Sequence, residues 1–297
     1  MKASFRLALA ALLALGLASA HAELVVKDDS GREVRLPRPA QRIVTLAPHA
    51  AEILFAAGAG GKLVGAVDYS DYPPAAKKVP RVGAYSRFDL EAVAALKPDL
   101  VLAWESGNDM SQVEKLRALG LTVYVSQPNR MENIADQLER LGQLAATEAV
   151  ANAAARHFRE RLENLRAANA DKPKVRVFYQ IWTPPLLTIG GPQIISSAIA
   201  LCGGVNVFGR LDRMAPTVSV EAVLEADPEA IITTDMSDTR PDWLSDWKQW
   251  TRMTAVKRDN LFHINPDILH RHTPRILDGA EQLCAVLDIA RQRRPSR

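Results

Sequence analysis

The chain has 297 residues, 47% of them hydrophobic, with 37 lysines and arginines against 34 aspartates and glutamates for a net charge of +3. That near-balance, with basic residues scattered rather than gathered in a run, excludes the electrostatic footprint of a phosphate-backbone binder, so no nucleic-acid partner is expected. The length exceeds what one hydrophobic core usually fills and predicts two domains.

Lys2 and Arg6, an apolar run over residues 7–17 and the small-residue stretch Ala20-His21-Ala22 read as a signal peptide over residues 1–22, cleaved before Glu23. The run is too short for a stop-transfer helix, and no other stretch approaches about 18 uninterrupted apolar residues. The expected product is an exported, soluble chain of net charge +1. Two β-prone runs, residues 24–26 and 34–36, surround a Gly31-containing turn and predict a hairpin at the entrance to the first lobe. Residues 43–46, 63–67, 100–103 and 123–125 are short apolar strand runs. They alternate with helical stretches at 50–57, 90–96 and 111–119, the pattern of a mostly parallel sheet covered by helices.

Residues 147–170 predict one long helix with Val150, Ala154, Phe158, Leu162 and Leu165 on its apolar stripe, Thr147 as its cap and Pro173 beyond its end. At 1.5 Å per residue it is a rod of about 35 Å, suited to a rigid connector. A second alternating unit then runs through 175–180, 194–201, 230–233 and 261–264. One internal echo supports the division: residues 89–101 (DLEAVAALKPDLV) match 219–231 (SVEAVLEADPEAI), each with an N-cap residue, a short helix, and a proline leading into a strand. The expected fold is α/β, with two Rossmann-like lobes joined by a single long helix and a ligand cleft between them. The divisions are 23–146, 147–171 and 172–297.

Cys202 and Cys284 are an even pair in an exported chain, where a bridge is expected and two buried thiols are the alternative. Their spacing is not that of a redox or zinc motif. The Gly-rich residues 57–63 lack the spacing and the Ser or Thr of a phosphate loop and read as a helix-ending turn. No GxSxG, HExxH or CxxC occurs, which leaves serine-hydrolase and zinc chemistry without an anchor. His270 and His272, flanked by Arg271 and Arg275, read as a polar loop rather than a metal site. No catalytic residue, metal or cofactor is expected, and an enzyme on a two-lobed scaffold would lack a nucleophile.

More specific runs follow. Residues 67–78 (VDYSDYPPAAKK), 96–104 (LKPDLVLAW), Gly107-Asn108, 171–178 (DKPKVRVF), Leu201-Cys202-Gly203-Gly204 with Asn206 and Phe208, Pro274-Arg275 and Gln282-Leu283-Cys284 keep one order along both lobes. In that order the chain resembles the periplasmic cobalamin-binding receptors of ABC importers, within the wider family for chelated iron, heme and cobalamin. The resemblance implies a monomeric binding protein that takes up cobalamin as transported ligand and hands it to a membrane permease without chemistry. It places Tyr85, Trp104 and Phe208 along the cleft and Asp267 with Arg271 at the ligand rim. Tyr69 and Tyr72 belong to the cleft mouth, with turn packing as the alternative. For Trp104 the alternative is core packing. Glu91 and Glu221, one per lobe, are implied to dock on permease arginines, or otherwise merely to favour a helix N-terminus. Ala215 departs from the pattern where the family has a tryptophan; Trp182 is the candidate substitute, and a pocket for another corrinoid or another chelate is the alternative. Trp243, Trp247 and Trp250 read as a helix face packed on its own lobe. Heme through a Tyr85 phenolate, or a ferric siderophore on Arg87, Arg271 and Arg275, remain alternative ligands. A stiff receptor with small closure is expected of the single connecting helix.

Overall fold

A computed structural model of the protein describes residues 23–234 and 243–295, so the expected signal peptide at 1–22 lies outside the described residues. The first lobe opens with a hairpin of β1 (Leu24–Lys27) and β2 (Glu33–Leu36). Then come β3 (Ile43–Thr45), α1 (Pro48–Ala56), β4 (Leu63–Ala66), and a small hairpin of β5 (Gly83–Ala84) and β6 (Arg87–Phe88). The lobe is completed by α2 (Leu90–Ala95), β7 (Leu100–Trp104), α3 (Met110–Ala118), β8 (Val123–Ser126) and α4 (Glu132–Ala145). The parallel sheet has the order β4-β3-β7-β8. Ile43, Val44 and Thr45 are buried on both faces, as expected of β-branched residues in a sheet covered by helices on each side.

After α5 (Glu148–Asn169), the second lobe carries β9 (Val175–Trp182), β10 (Leu187–Thr188), α6 (Ile194–Leu201), β11 (Gly204–Asn206), α7 (Val220–Ala226) and β12 (Ala230–Thr233). It ends with α8 (Trp243–Trp247), α9 (Thr254–Lys257), β13 (Leu261–His263), α10 (Pro266–Leu269) and α11 (Ile276–Gln292). The sheet order is β10-β9-β12-β13, with β11 parallel to the first half of β9 and β10 antiparallel to its second half.

The hairpin's turn closes a sheet edge. The Val125 amide donates to Asp28 Oδ2 at 3.1 Å and the Asp29 amide to the Val125 carbonyl at 3.0 Å, so the outer side of β8 is not left open for another strand. The internal echo is structural as well. Asp89 caps α2 and Ser219 caps α7 through their side chains, and Lys97 (φ 46°) and Asp227 (φ 38°) both turn left-handed just before Pro98 and Pro228. Each proline then leads into a buried strand, β7 or β12.

Two details of α5 differ from the sequence expectation. Thr147 makes no side-chain cap; its hydroxyl donates instead to the Ala57 carbonyl at 2.7 Å, tying the helix start to the end of α1. Phe158 and Leu162 are buried as expected and Ala154 and Leu165 pack partly buried against the core, but Val150 is exposed and Ala151 and Ala155 are buried in addition. Small residues face inward because α4 packs closely there: a Cβ on Gly142 would fall 2.3 Å from the Cβ of Ala151. One apolar cluster runs from β3 and α1 through α4 and α5 into β9, α6 and α11, so the two lobes share core along this helix. Arg161 adds ion pairs to Asp278 and Glu281 of α11, both at 2.8 Å. Cys202, after α6, is disulfide-bonded to Cys284 in α11. In the chain-entropy picture this 82-residue separation removes about 4 to 5 kcal/mol of unfolded-state freedom.

Candidate functional site

β7 ends at Trp104, whose ring meets His272 of the second lobe, so this strand ends toward the region between the lobes, where open α/β sheets bind ligands. At the end of β7, Trp104 is held by a staple. Its amide donates to Asn108 Oδ1 at 2.6 Å, while Asn108 Nδ2 donates to the carbonyls of Leu46 at 2.8 Å and Tyr85 at 2.7 Å. One buried amide side chain therefore joins the ends of β3 and β7 to the β5–β6 turn. The neighbouring Gly107 is required by contact: a Cβ there would stand 1.9 Å from Cε3 of the Trp104 ring. The staple brings the Tyr85 and Trp104 rings together at 5.8 Å, with Trp104 half-buried and Tyr85 39% exposed.

A second-lobe loop, residues 270–275, reaches into the first lobe. His272 is buried against Trp104 (6.2 Å) and against His49 of α1 (5.4 Å), and the Trp104 and His49 rings meet edge-on at 5.2 Å. Burial pushes His272 down to about 4 and holds His49 well below the usual imidazole range, so both rings are neutral near neutral pH. His49 Nε2 lies 3.2 Å from the Ser126 hydroxyl, which accepts from Gln137. Next to this pair, Arg275 forks onto the buried Glu52 of α1, Nε to Oε1 at 2.6 Å and Nη2 to Oε2 at 2.8 Å, and the Thr273 hydroxyl donates to Oε1 at 2.7 Å. The same guanidinium lies 3.7 Å over the Tyr72 ring.

Arg271 bridges in parallel. It donates to Asp71 of the first lobe at 2.6 Å and to Asp267 of its own lobe at 3.1 Å. Burial raises the Asp71 carboxyl, but the Arg271 contact outweighs it and leaves the pKa lowered. Asp267 and Arg271 are thus in contact, and one arm of Arg271 is committed across the lobes. His270 Nε2 lies 3.1 Å from the buried Tyr179 hydroxyl. Among the described residues, no group of three or more His, Cys, Asp or Glu can hold a metal ion.

The remaining site residues are more dispersed. Tyr69, on a left-handed backbone (φ 62°), is 73% exposed, and Tyr72 is 41% exposed. Phe208 turns into its own lobe, half-buried and edge-on to Phe178 at 5.8 Å. Trp182, at the end of β9, donates to the Pro184 carbonyl at 2.9 Å and meets Trp243 edge-on at 6.0 Å. Its cross-strand neighbour Leu187 bridges Thr217, two residues past the exposed Ala215. Trp182 is thus linked through Leu187 to the segment that follows Ala215. Trp247 is buried and donates to Gln180 at 2.8 Å, whereas Trp250 is 37% exposed. Glu91 and Glu221 sit exposed at equivalent places in the first turns of α2 and α7.

Sequence reading did not single out His49, Glu52, Asp71 or Thr273. Only a His-Ala-Ala-Glu spacing on one helix and an Asp next to the Tyr-Pro-Pro turn hinted at them.

The periplasmic binding protein family model matches residues 43–268. The chain belongs to the periplasmic binding protein family. It is 41% identical over 257 residues to the vitamin B12-binding protein of Vibrio cholerae serotype O1, covering 86% of this chain and 92% of that one. The corresponding protein of Yersinia pestis is 36% identical over 82% of this chain and 85% of its own length. The crystal structure of the vitamin B12-binding protein of Vibrio cholerae superposes with a TM-score of 0.80 at 41% identity, over 86% of this chain and 99% of that one. A heme-binding protein from Roseiflexus sp. RS-1 shares the fold at 21% identity, TM-score 0.74. The expected two-lobed α/β architecture and family thus hold, as does the Cys202–Cys284 bridge.

Proposed function

We propose that the protein is a periplasmic receptor that captures cobalamin or a related corrinoid between its lobes and presents it unchanged to the permease of an ABC importer. The observation that carries this reading is the similarity to vitamin B12-binding proteins along both lobes, with the stapled Tyr85–Trp104 pair at the cleft. A corrinoid offers a broad apolar face that suits flat aromatic surface, and a rim of amides that needs paired donors and acceptors. In this assignment Tyr69, Tyr72, Tyr85, Trp104 and Trp182 supply aromatic surface. Asp267 and Arg271 serve the rim, and Phe208 supports from the core side. Residues 1–22 direct export and are removed. Residues 23–146 and 172–297 form the lobes, and 147–171 the connecting segment, whose shared core supports small closure. Glu91 and Glu221 are assigned to permease docking, with the receptor acting as a monomer.

Calorimetry of the purified mature chain with cobalamin, cobinamide, heme and a hydroxamate siderophore tests the reading. Expected is one-to-one binding of cobalamin or cobinamide, at least 100-fold tighter than heme or siderophore, about 2.7 kcal/mol. Preferential heme binding, with a phenolate spectrum lost in Tyr85→Phe, overturns it.

A further inference from the structure

We infer that Arg275 is a positioning residue for Tyr72: its guanidinium, locked on the buried Glu52, fixes the ring that the first lobe presents to ligand. The inference rests on the cobalamin reading for the ligand, but its geometry stands alone. Tyr72 lies in an irregular loop between β4 and β5 and is 41% exposed. Besides turn hydrogen bonds within the loop, such as the Asp71 amide to the Tyr69 carbonyl at 3.0 Å, three arginines hold it. Arg81 donates to the Ser70 carbonyl at 2.8 Å, Arg271 to Asp71 at 2.6 Å, and Arg275 covers the Tyr72 ring at 3.7 Å. Of these, the Arg275 guanidinium is the contact lying over the ring itself.

The guanidinium has little freedom. Both carboxylate oxygens of Glu52 are engaged by its fork, Thr273 holds Oε1 as well, and Glu52 is 3% exposed on a helix of the first lobe. A buried ion pair is a poor device for stability alone, because apolar residues of similar volume do as well. What it does here that apolar residues cannot is hold a flat cation in one plane above an aromatic face. Because Arg275 belongs to the second lobe, the placement of a first-lobe aromatic wall depends on the lobes keeping their register.

The test is a double-mutant cycle on cobalamin affinity. Arg275→Lys keeps the charge near Glu52 but loses the fork and the flat stack; Tyr72→Ala removes the ring. Expected is about a tenfold loss for Arg275→Lys in the native background and less than twofold in the Tyr72→Ala background, since coupled neighbours are non-additive. Equal losses in both backgrounds overturn the inference. Should the lysine variant not fold, Glu52→Gln, which loosens the guanidinium, enters the same cycle with the same criterion. A ligand-free readout keeps the outcomes apart. With ring-labelled tyrosine, the Tyr72 resonance, assigned by Tyr72→Phe, is expected to shift in Arg275→Lys, and an unmoved resonance overturns the inference. A chain that binds no corrinoid while that resonance shifts refutes the cobalamin reading and leaves the positioning role standing.

Discussion

Arg275 closes on Glu52 across the two lobes through two parallel contacts of 2.6 and 2.8 Å, and the carboxylate it meets is only 3% exposed. Removing one partner strands the other. Arg275→Leu leaves a buried carboxylate with Thr273 alone, and a loss of about 3 to 5 kcal/mol is expected. Glu52→Met combined with Arg275→Leu removes both charges, and is expected to recover most of that loss. Urea unfolding of the three chains checks this; a single substitution costing under about 1 kcal/mol would show that the pair is solvated rather than buried.

The imidazoles of the same region predict a pH dependence. His270 and His272 are depressed to about 4, and His49 is held well below 6.5, in each case first by burial. Between pH 4 and 6.5 the unfolded chain binds protons that the folded chain refuses, so stability rises with pH through that window and flattens above it. Each of His270 and His272 is expected to remove roughly 2 kcal/mol between pH 7 and pH 5. Lowered carboxylates such as Asp71 and Glu229 act in the same sense, but their loss falls below their ordinary values near 4, so the interval from pH 4.5 to 6.5 reports on the histidines. His272→Gln is expected to flatten the slope in urea titrations at pH 5, 6 and 7. An unchanged slope would mean that His272 is protonated within the fold.

The strand and helix runs with clear period, the connecting helix and the echo of residues 89–101 at 219–231 were readable because local chemistry dictates them: caps, β-branched runs and X-Pro steps. The Cys202–Cys284 bridge followed from an even count in an exported chain. The long-range relations were not readable. Arg275 meets Glu52 at a separation of 223 residues and Arg271 meets Asp71 at 200, and the local spacing around Glu52 and Asp71 does not say which arginine each will meet. Arg271 read as a ligand group and stands as a bridge as well, because an exposed-looking polar loop folds back onto the other lobe. On α5, Phe158 and Leu162 were readable but Ala151 and Ala155 were not, because alanines, which carry little signal in a hydrophobic pattern, form the close contact with α4.

Asn108 and Gly107 give a sharper test of the cleft. Asn108→Ala removes the acceptor for the Trp104 amide and the donor for the Leu46 and Tyr85 carbonyls, one bond buried and two partly buried, for an expected loss of about 2 to 3 kcal/mol. Gly107→Ala should cost less in stability yet displace the Trp104 ring, whose Cε3 stands 1.9 Å from the added methyl. Its expected signature is a shifted tryptophan emission together with about tenfold weaker cobalamin binding. Native emission and native affinity in Gly107→Ala would place Trp104 outside the ligand wall, as core packing.

Glu91 and Glu221 are related by the internal echo: each stands two residues past a capping side chain, Asp89 or Ser219, on the exposed first turn of a short helix. In Glu221 its own backbone and the Ser219 hydroxyl keep the carboxyl below its ordinary value, so it is charged at neutral pH. Two like charges at matched places on two lobes suit a partner with matched cations, where they set orientation and encounter rate more than affinity. The bland role, favouring the helix N-terminus, is worth about 0.3 to 1 kcal/mol at each site. Charge reversal separates the two roles. Glu91→Lys with Glu221→Lys is expected to leave cobalamin affinity within twofold and the melting temperature within a few degrees, while transport by permease-bearing vesicles falls at least tenfold and its salt dependence weakens. Unchanged transport with intact binding would leave the glutamates with their helix-capping role alone.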